Sequence, residues 1–279
     1  CYIKLRVDMG YKGVIFKILT LIIQTGFRFL NNRDRIRGTM LLAKDITPVM
    51  DVDTKYGKIH FLCNDTMPIA RAKSFHTKEP GTLAWIDGFD EDSVLWDIGA
   101  NVGLYSLYAA LKPNVQVVAF EPAGITFYLL VRNIEINKKD QDIYPLCIAL
   151  SDVTEFGSLN MPNTQIGKTG HQFNSLVDVH GNTFESVFRQ ATISYTIDDI
   201  LLNFSIPFPN YIKIDVDGFE NKILKGGGNT LADERLRSIL MEMMSDVKHN
   251  KNDEMLSIMQ SAGFKLKRVA DNINYIFSR

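Results

Sequence analysis

The chain has 279 residues and a mass of 31.6 kDa, which predicts one large domain or two small ones. With 46% hydrophobic and 23% charged residues, its composition is that of a globular protein and excludes a disordered, collagen-like or low-complexity chain. The formal net charge is -1. The chain therefore lacks the basic excess that neutralises phosphates, and we expect no nucleic-acid partner.

The three cysteines, Cys1, Cys63 and Cys147, are far apart in the sequence. No Cys-x-x-Cys pair and no cysteine–histidine cluster at zinc spacing occurs. This pattern argues against a disulfide scaffold and favours a reducing compartment, so we expect a cytoplasmic protein.

The first organised segment, residues 14–30 from Val14 to Leu30, is apolar but carries Lys17, Gln24 and Arg28. It is too short and too polar for a membrane-spanning helix. Its apolar residues recur at helical spacing and predict an amphipathic helix: Ile15, Ile18, Leu19, Ile22, Gly26 and Phe29. The helix could pack on the domain, pack on a second subunit in a homodimer, or lie on a membrane surface. Its thin, weakly basic polar face favours packing.

Residues 31–38 are interpreted as a charged connector. Residues 47–63 predict short strands around a turn at Tyr56 and Gly57, and a helix is expected to begin near Pro80. We therefore expect three regions: an N-terminal helical extension at residues 1–46, a small lead-in at 47–92 that packs on the core, and a main domain at 93–279.

The main domain alternates short apolar runs with helical patterns, which is typical of an α/β fold with a doubly wound, mostly parallel sheet. The predicted strands lie at residues 93–98, 116–121, 142–152 and 237–244, and residues 210–220 are predicted to be a strand that runs into an acidic turn. Two final strands, joined at Asp271 and Asn272, predict a C-terminal antiparallel hairpin. Between about residues 154 and 194 the alternation stops, and we expect an irregular insertion that covers a ligand.

The sharpest motif follows the first of these strands. Asp97 ends the strand, Gly99 and Gly103 allow a tight turn, and Glu121 ends the next strand. An acidic side chain at that place can accept hydrogen bonds from both hydroxyls of a ribose. The turn lacks the G-x-G of a pyrophosphate cradle, so it suits S-adenosylmethionine, which has a ribose but no phosphate. A nicotinamide-dependent oxidoreductase and a non-catalytic cofactor-binding module remain alternatives.

Three stretches together resemble the FkbM-type S-adenosylmethionine-dependent methyltransferases: VLWDIGANVGLYSLYAAL, VVAFEP, and YIKIDVDGFENKILKGG with the following ILMEM. The resemblance implies a Rossmann-like sheet of seven strands with a final antiparallel hairpin. It also implies methyl transfer to oxygen, often to a hydroxyl of a sugar, glycan or secondary metabolite.

The resemblance further implies the cofactor contacts of single residues. Those expected at S-adenosylmethionine are Asp97, Gly99, Ala100, Asn101, Gly103, Glu121, Pro122, Ser151 and Asp152. Within this set, Glu121 would hold the ribose, and residues 149–152 would lie near the adenine. The family's acidic turn reads K-I-D-V-E-G-x-E, whereas this chain has Asp217 at the second acidic position.

A hydroxyl acceptor needs a base, because it is a poor nucleophile until its proton is taken. Lys213, Asp215 and Asp217 alternate along an extended segment and share one face. Asp215 is the first candidate for the base and Glu242 the second, and Lys213 is expected to orient Asp215 or to lower its pKa.

Further residues are candidates for contacts with the acceptor or for ligands of a metal ion. We expect Asp217, Glu220 and His171 to contact the acceptor, and His171 or His180 could also act as a base. Asp215, Asp217 and Glu220 could hold Mg²⁺. Acidic residues on a turn are more often solvated or cap a helix, so we expect no metal.

Overall fold

The computed structural model describes residues 10–243 and 251–279, and Cys1 and Met244 lie outside these residues. The chain divides into two compact units, Cys1–Pro48 and Val49–Arg279. Each unit is described by itself below.

The first unit contains two helices, α1 (Gly10–Arg28) and α2 (Asn32–Ile46). Helix α1 matches the predicted amphipathic helix, but the prediction of a connector at residues 31–38 is wrong, because this segment begins α2. The side chain of Asn31 caps α2 by accepting a hydrogen bond from the Asp34 backbone amide at 2.9 Å. No helix in the described parts of the chain is long and apolar enough to cross a membrane.

The second unit opens with a β-hairpin and three short helices. These are β1 (Val49–Thr54), β2 (Gly57–Leu62), α3 (Thr66–Lys73), α4 (Phe75–Lys78) and α5 (Pro80–Asp87). The strands pair antiparallel, and α5 begins at Pro80, which needs no backbone N–H at the first helical position. The predicted strands and the predicted helix start are therefore confirmed.

The rest of the second unit carries the main sheet. Its first elements are β3 (Val94–Ile98), α6 (Leu104–Ala110), β4 (Gln116–Phe120), α7 (Gly124–Ile136), β5 (Ile143–Leu146), β6 (Ala149–Leu150), β7 (Glu155–Met161), β8 (Gln172–Phe173) and β9 (Phe188–Tyr195). They are followed by α8 (Ile197–Asn203), β10 (Tyr211–Ile214), α9 (Glu220–Lys225), α10 (Gly228–Ala232), β11 (Ser238–Glu242), α11 (Lys251–Ser261), β12 (Lys265–Ala270) and β13 (Asn274–Ser278).

Seven strands form the main sheet in the order β12-β13-β11-β10-β3-β4-β5. Strands β11, β10, β3, β4 and β5 are parallel, and β13 runs antiparallel to both β11 and β12. The mostly parallel sheet and the C-terminal antiparallel pair are thus as predicted.

Residues that alternate along the strands face opposite sides of the sheet. Leu95 belongs to a core cluster with α5, α6 and α7, whereas its neighbour Trp96 belongs to a second cluster with α8, α9 and α11. The sheet is therefore covered by helices on both faces. The first cluster also contains Phe61 and Phe75, so the lead-in shares its core with the main sheet.

The prediction of an irregular insertion at residues 154–194 is wrong in part, because β7, β8 and most of β9 lie within it and form a second sheet in the order β6-β9-β7-β8. The stretches 162–171 and 174–187 between these strands contain no helix or strand. Strand β6 pairs with β9, so residues 142–152 are divided between two sheets rather than forming one strand. Strands β7 and β9 pair antiparallel across a long connection. Such non-local pairing leaves no hairpin signal in the local sequence.

Candidate active site

The turn after β3 approaches the end of β10 closely enough to require glycine. Gly99 has φ +85°, and a Cβ added there would lie 1.9 Å from the carbonyl oxygen of Asp215. The amides of Gly99 and Ala100 both donate to the carbonyl oxygen of Phe120, each at 3.0 Å. The turn is thereby fixed between the carboxyl ends of β4 and β10, the edge at which ligands bind in such sheets.

Glu121 lies at the carboxyl end of β4 and is only 5% exposed. Its carboxylate accepts hydrogen bonds from the backbone amides of Asn101 at 3.0 Å and Ala123 at 2.9 Å, one on each oxygen. Burial raises the pKa of Glu121 to about 7, although the two amides act to lower it. Each oxygen keeps a further lone pair, so the carboxylate can also accept from two hydroxyl groups.

A cavity of about 500 Å³ opens at this edge of the sheet. The turn after β3 and Glu121 line one part of it, and side chains from β10 and β11 line another. The lead-in contributes a third part of the wall, from Met67, Arg71, Ser74, Lys78 and Glu79.

Lys213 is the buried cation of the cavity, with an exposed fraction of 1%. Its Nζ atom lies 2.8 Å from Oδ2 of Asp215 and 4.9 Å from the centre of the Tyr105 ring. Burial would lower the pKa of Lys213, but the carboxylates of Asp215, Asp97 and Glu79 outweigh this effect and raise it. Lys213 therefore stays charged and holds Asp215 in place.

Glu242, at the end of β11, forms a hydrogen-bonded carboxyl pair with Asp215. Burial and the neighbouring Asp215 raise the pKa of Glu242. Burial opposes the charge of Asp215, but Lys213 and Glu242 hold the pKa of Asp215 well below its ordinary value. The two carboxyls therefore titrate as one pair, in which the contact with Lys213 favours Asp215 as the ionised member.

The acidic turn after β10 binds the second sheet rather than standing free. Asp217 adopts φ +53°, and its Oδ2 atom accepts from the Gly170 amide at 2.8 Å. Its carbonyl oxygen accepts from the Gln172 side chain at 3.0 Å. Glu220 folds back onto the turn, where the amides of Val216 and Gly218 donate to its Oε1 atom at 3.3 and 3.1 Å. Burial raises the pKa of Glu220 to about 6.

Arg71 on α3 is a cavity residue that the sequence analysis missed. Its Nε and Nη2 atoms donate to the carbonyl oxygen of Gly167 at 3.0 and 2.7 Å, and Asn101 Nδ2 donates to the same oxygen at 3.3 Å. These bonds hold the segment between β7 and β8 beside the turn after β3. Arg71 and Gly167 are far apart in the sequence, so no local motif predicts the contact.

A smaller, apolar cavity of about 50 Å³ adjoins the first and shares Gly99, Pro122, His171 and Val216 with it. Its wall includes residues 148–150. Among the described atoms, Nδ1 of His171 is buried without a hydrogen-bond partner, and burial lowers the pKa of His171. The ring is therefore neutral near pH 7.

The structure brings ten of the predicted site residues to the main cavity: Gly99, Ala100, Asn101, Glu121, Pro122, His171, Lys213, Asp215, Asp217 and Glu242. Five others lie outside both cavities: Asp97, Gly103, Ser151, Asp152 and Glu220. Lining a cavity does not show a ligand contact, so the contacts and roles of all fifteen residues stay predictions.

Besides Glu220, described above, three of these five have side-chain partners of their own. Asp97 is buried and accepts from the Ser106 hydroxyl at 2.6 Å, and the Ser151 hydroxyl donates to Asp152 at 2.9 Å. His180, the further base candidate, is exposed in the connection before β9. Within residues 10–243 and 251–279, no group of three His, Cys, Asp or Glu residues is placed to hold a metal ion.

Comparison with known protein families shows to which family the chain belongs. The sequence pattern of the methyltransferase FkbM domain matches residues 97–266, which is more than half of the chain. The chain belongs to the FkbM methyltransferase family. This membership explains why the turn after β3, Glu121 and the acidic turn occur together.

Two curated relatives resemble the chain over part of its length. Hexuronic acid methyltransferase AglP of Haloferax volcanii is 30% identical over 168 residues, covering 60% of this chain and 63% of that protein. Methyltransferase 1 of Beauveria bassiana is 28% identical over 148 residues, covering 50% of this chain and 59% of that protein. The chain thus spans about three fifths of each relative.

Among solved structures, an FkbM methyltransferase from Methylobacillus flagellatus resembles the chain with a TM-score of 0.47 and 15% identity. The match covers 68% of this chain and 44% of that one.

The cofactor of the FkbM family is S-adenosylmethionine, and the residues of this site fit it. Glu121 can accept from the two ribose hydroxyls, and the apolar wall of residues 148–150 suits contact with an edge of an adenine ring, since the side cavity is smaller than the whole ring. The backbone of residues 99–101 lines the cavity next to the carboxyl end of β10, where the methionine end would lie.

Proposed function

We propose that the chain is an S-adenosylmethionine-dependent methyltransferase that methylates a hydroxyl of a sugar, glycan or secondary metabolite. One observation carries this proposal: the same cavity is lined by the cofactor turn with Glu121 and by the charged group of Lys213, Asp215 and Glu242. The name of the relative AglP, a hexuronic acid methyltransferase, supports a sugar acceptor. The partner of the enzyme would be a small molecule or a glycan.

On the cofactor side, Glu121 would accept the ribose hydroxyls, and residues 99–101 would surround the methionine end. Residues 148–150 would contact the adenine in the apolar cavity. When bound, S-adenosylmethionine supplies a methyl group activated by its positively charged sulfur. The protein then mainly provides position and exclusion of water.

On the acceptor side, Asp215 would accept a hydrogen bond from the acceptor hydroxyl and orient its oxygen for an in-line displacement. The proton would pass to Asp215 as the new oxygen–carbon bond forms. A methylated oxygen that still bears its proton is very acidic, so a carboxylate with a low pKa suffices as the base. The raised pKa of Glu242 and the lowered pKa of Asp215 favour Asp215 for this role. Lys213 would keep Asp215 oriented.

The proposal is tested by incubating the chain with S-adenosylmethionine and a panel of monosaccharides, uronic acids and oligosaccharides, and detecting methylated products by mass spectrometry. We expect Asp215→Asn to lower kcat by about a hundredfold or more, because it removes the base. The affinity for S-adenosylmethionine should change little. Asp140→Asn is the matched control, because Asp140 is exposed, lies outside both cavities and belongs to none of the predicted site residues.

Measurements of cofactor binding and of methyl transfer distinguish the proposed function from its two alternatives. Binding of S-adenosylmethionine without transfer to any acceptor would favour a non-catalytic cofactor-binding module. Tighter binding of NAD(H) or NADP(H) than of S-adenosylmethionine would overturn the proposal in favour of an oxidoreductase.

A further inference from the structure

Taken by itself, the first unit is a pair of helices that buries almost none of its side chains. Helices α1 and α2 meet near Phe27 and Gly38, where a Cβ added to Gly38 would lie 2.9 Å from the Phe27 ring. Phe27 and Gly38 are half-buried, as are Ile23 on α1 and Leu42 on α2. Most other described side chains of the pair are exposed, which leaves each helix with a free face.

The free face of α1 is apolar. At 100° per residue, four side chains of α1 and the side chain of Phe29, which follows the helix, fall on one side. This apolar stripe consists of Ile15, Ile18, Leu19, Ile22 and Phe29, which are 49%, 52%, 49%, 61% and 86% exposed. Phe27, Gln24 and Arg28 point away from the stripe, and these are the α1 residues that line the cleft against α2. A contiguous exposed apolar face of this kind marks an interaction surface.

The free face of α2 is basic. Arg33, Arg37 and Lys44 are spaced to share one side of the helix, and all three are exposed. None of these three side chains takes part in an ion pair within the described residues. This basic stripe belongs to a segment of strong positive charge: residues 10–48 contain seven Lys and Arg but two Asp, for a net charge of +5. The whole chain has a net charge of -1, so positive charge is concentrated in the helix pair.

We propose that this helix pair docks on an anionic lipid surface, with the apolar stripe in the boundary between headgroups and acyl chains. The basic stripe would contact the headgroups. Exposed apolar side chains combined with an excess of Lys and Arg are the features by which amphipathic helices bind such surfaces. The weakly basic face of α1 alone favours packing of this helix on protein. Helix α2 adds the positive charges of Arg33, Arg37 and Lys44, and with them the pair favours an anionic membrane surface.

The observations disfavour the other arrangements. Two copies docked through these helices would bring together segments with a charge of +5 each, which repel. Helix α1 has too low a hydropathy to span a bilayer and carries Lys17 and Arg28. The helix pair would therefore lie on the surface rather than cross it.

The test is co-sedimentation of the full chain with vesicles of phosphatidylcholine alone and with phosphatidylglycerol added. We expect binding to the anionic vesicles that weakens with salt, and much weaker binding to the neutral ones. Arg33→Gln with Arg37→Gln should lower the partition coefficient about thirtyfold, from about 1 kcal/mol per basic residue at an anionic surface. Lys265→Gln with Lys267→Gln, on the exposed strand β12, is the matched control and should have little effect.

The apolar stripe has its own variant, Ile18→Gln with Ile22→Gln, which should lower the partition coefficient about a hundredfold. Its control is Leu202→Gln on α8, where the leucine is 81% exposed. Equal binding to neutral and anionic vesicles, or no binding to either, overturns the proposal. A dimer in analytical ultracentrifugation that the Ile18 and Ile22 variant dissociates would assign the stripe to a second copy. A lower melting temperature of that variant would assign it to the chain itself. Either result also overturns the proposal.

Discussion

The carboxyl group of Glu121 gives cofactor binding a pH dependence. Burial raises its pKa to about 7, whereas donation from ribose hydroxyls stabilises the ionised form. Binding below that pKa must therefore release a proton. We expect the affinity for S-adenosylmethionine, measured by calorimetry, to fall about tenfold from about pH 8 to about pH 6.

Glu121→Gln is the control for this effect. The variant should bind S-adenosylmethionine weakly, with an affinity that stays constant over the same pH range, because its amide does not titrate. If the unmodified chain binds equally well at both pH values, Glu121 does not hold the ribose as an ionised carboxylate.

Gly99 tests whether the turn after β3 tolerates a side chain. Gly99→Ala places a methyl group against the carbonyl oxygen of Asp215 at a backbone angle that disfavours alanine. We expect the free energy of unfolding to fall by about 3 kcal/mol in urea denaturation, because overpacking and strain add. Gly228→Ala is the matched control: a Cβ there meets nothing within 4 Å, so its stability should change little. Similar losses in both variants would contradict this explanation.

Among the elements, α7 and its C-terminal cap hold the β1–β2 hairpin through two side-chain amides, Asn137 on the backbone of His60 and Asn133 on that of Leu62. Asn133 is fully buried, accepts from the Leu62 amide at 2.9 Å and donates to the Val102 carbonyl at 2.8 Å. Asn133→Ala leaves both backbone groups without a partner. We expect a loss of about 2–4 kcal/mol in the free energy of unfolding.

Hydrogen exchange provides the local measurement for this contact. The Leu62 amide should exchange faster in Asn133→Ala, because the side chain that protects it is gone. Asn203→Ala, at an exposed position on α8, is the control and should leave both stability and exchange unchanged. Unchanged protection of Leu62 in Asn133→Ala would show that another group holds the strand.

The elements around the cofactor turn could be predicted from the sequence because their signals are local. Gly99 and Glu121 directly follow β3 and β4, Gly103 directly precedes α6, and the register of β3 and β4 then brings the turn and Glu121 together. The hairpin turn at Asp271 and Asn272 is another local signal, and both residues have positive φ values.

The elements that could not be predicted from the sequence depend on contacts with residues distant in the chain or on a side chain that caps a helix. Strands β7 and β9 pair with each other although residues 162–187 separate them in the chain. The local sequence of either strand therefore does not predict its partner. Arg71 gains its place only when the segment near Gly167 lies beside it. The charged residues at 31–38 predict a connector rather than the start of α2, because nothing in their pattern marks Asn31 as a helix cap. The consequence is substantial, because α2 supplies the basic stripe.

For the whole molecule, the division into two units separates the proposed chemistry from the proposed membrane contact. Every residue that lines the two cavities belongs to the unit Val49–Arg279. The lead-in is part of that unit in function as well as in packing, because Arg71, Lys78 and Glu79 line the main cavity. The net positive charge and the apolar stripe belong to the unit Cys1–Pro48.

A chain that begins at Val49 should therefore keep the melting temperature and the S-adenosylmethionine affinity of the full chain, measured by thermal unfolding and calorimetry. A second truncation that begins at Asn64 provides the contrast. It removes Val52, Ile59 and Phe61, which are all buried in the core shared with the main sheet. Burial of each such side chain contributes about 2 kcal/mol, so their joint loss approaches the whole stability of a typical domain. We expect the second truncation not to fold. Loss of cofactor binding in the chain beginning at Val49 would contradict the division, because the site would then depend on residues before Val49.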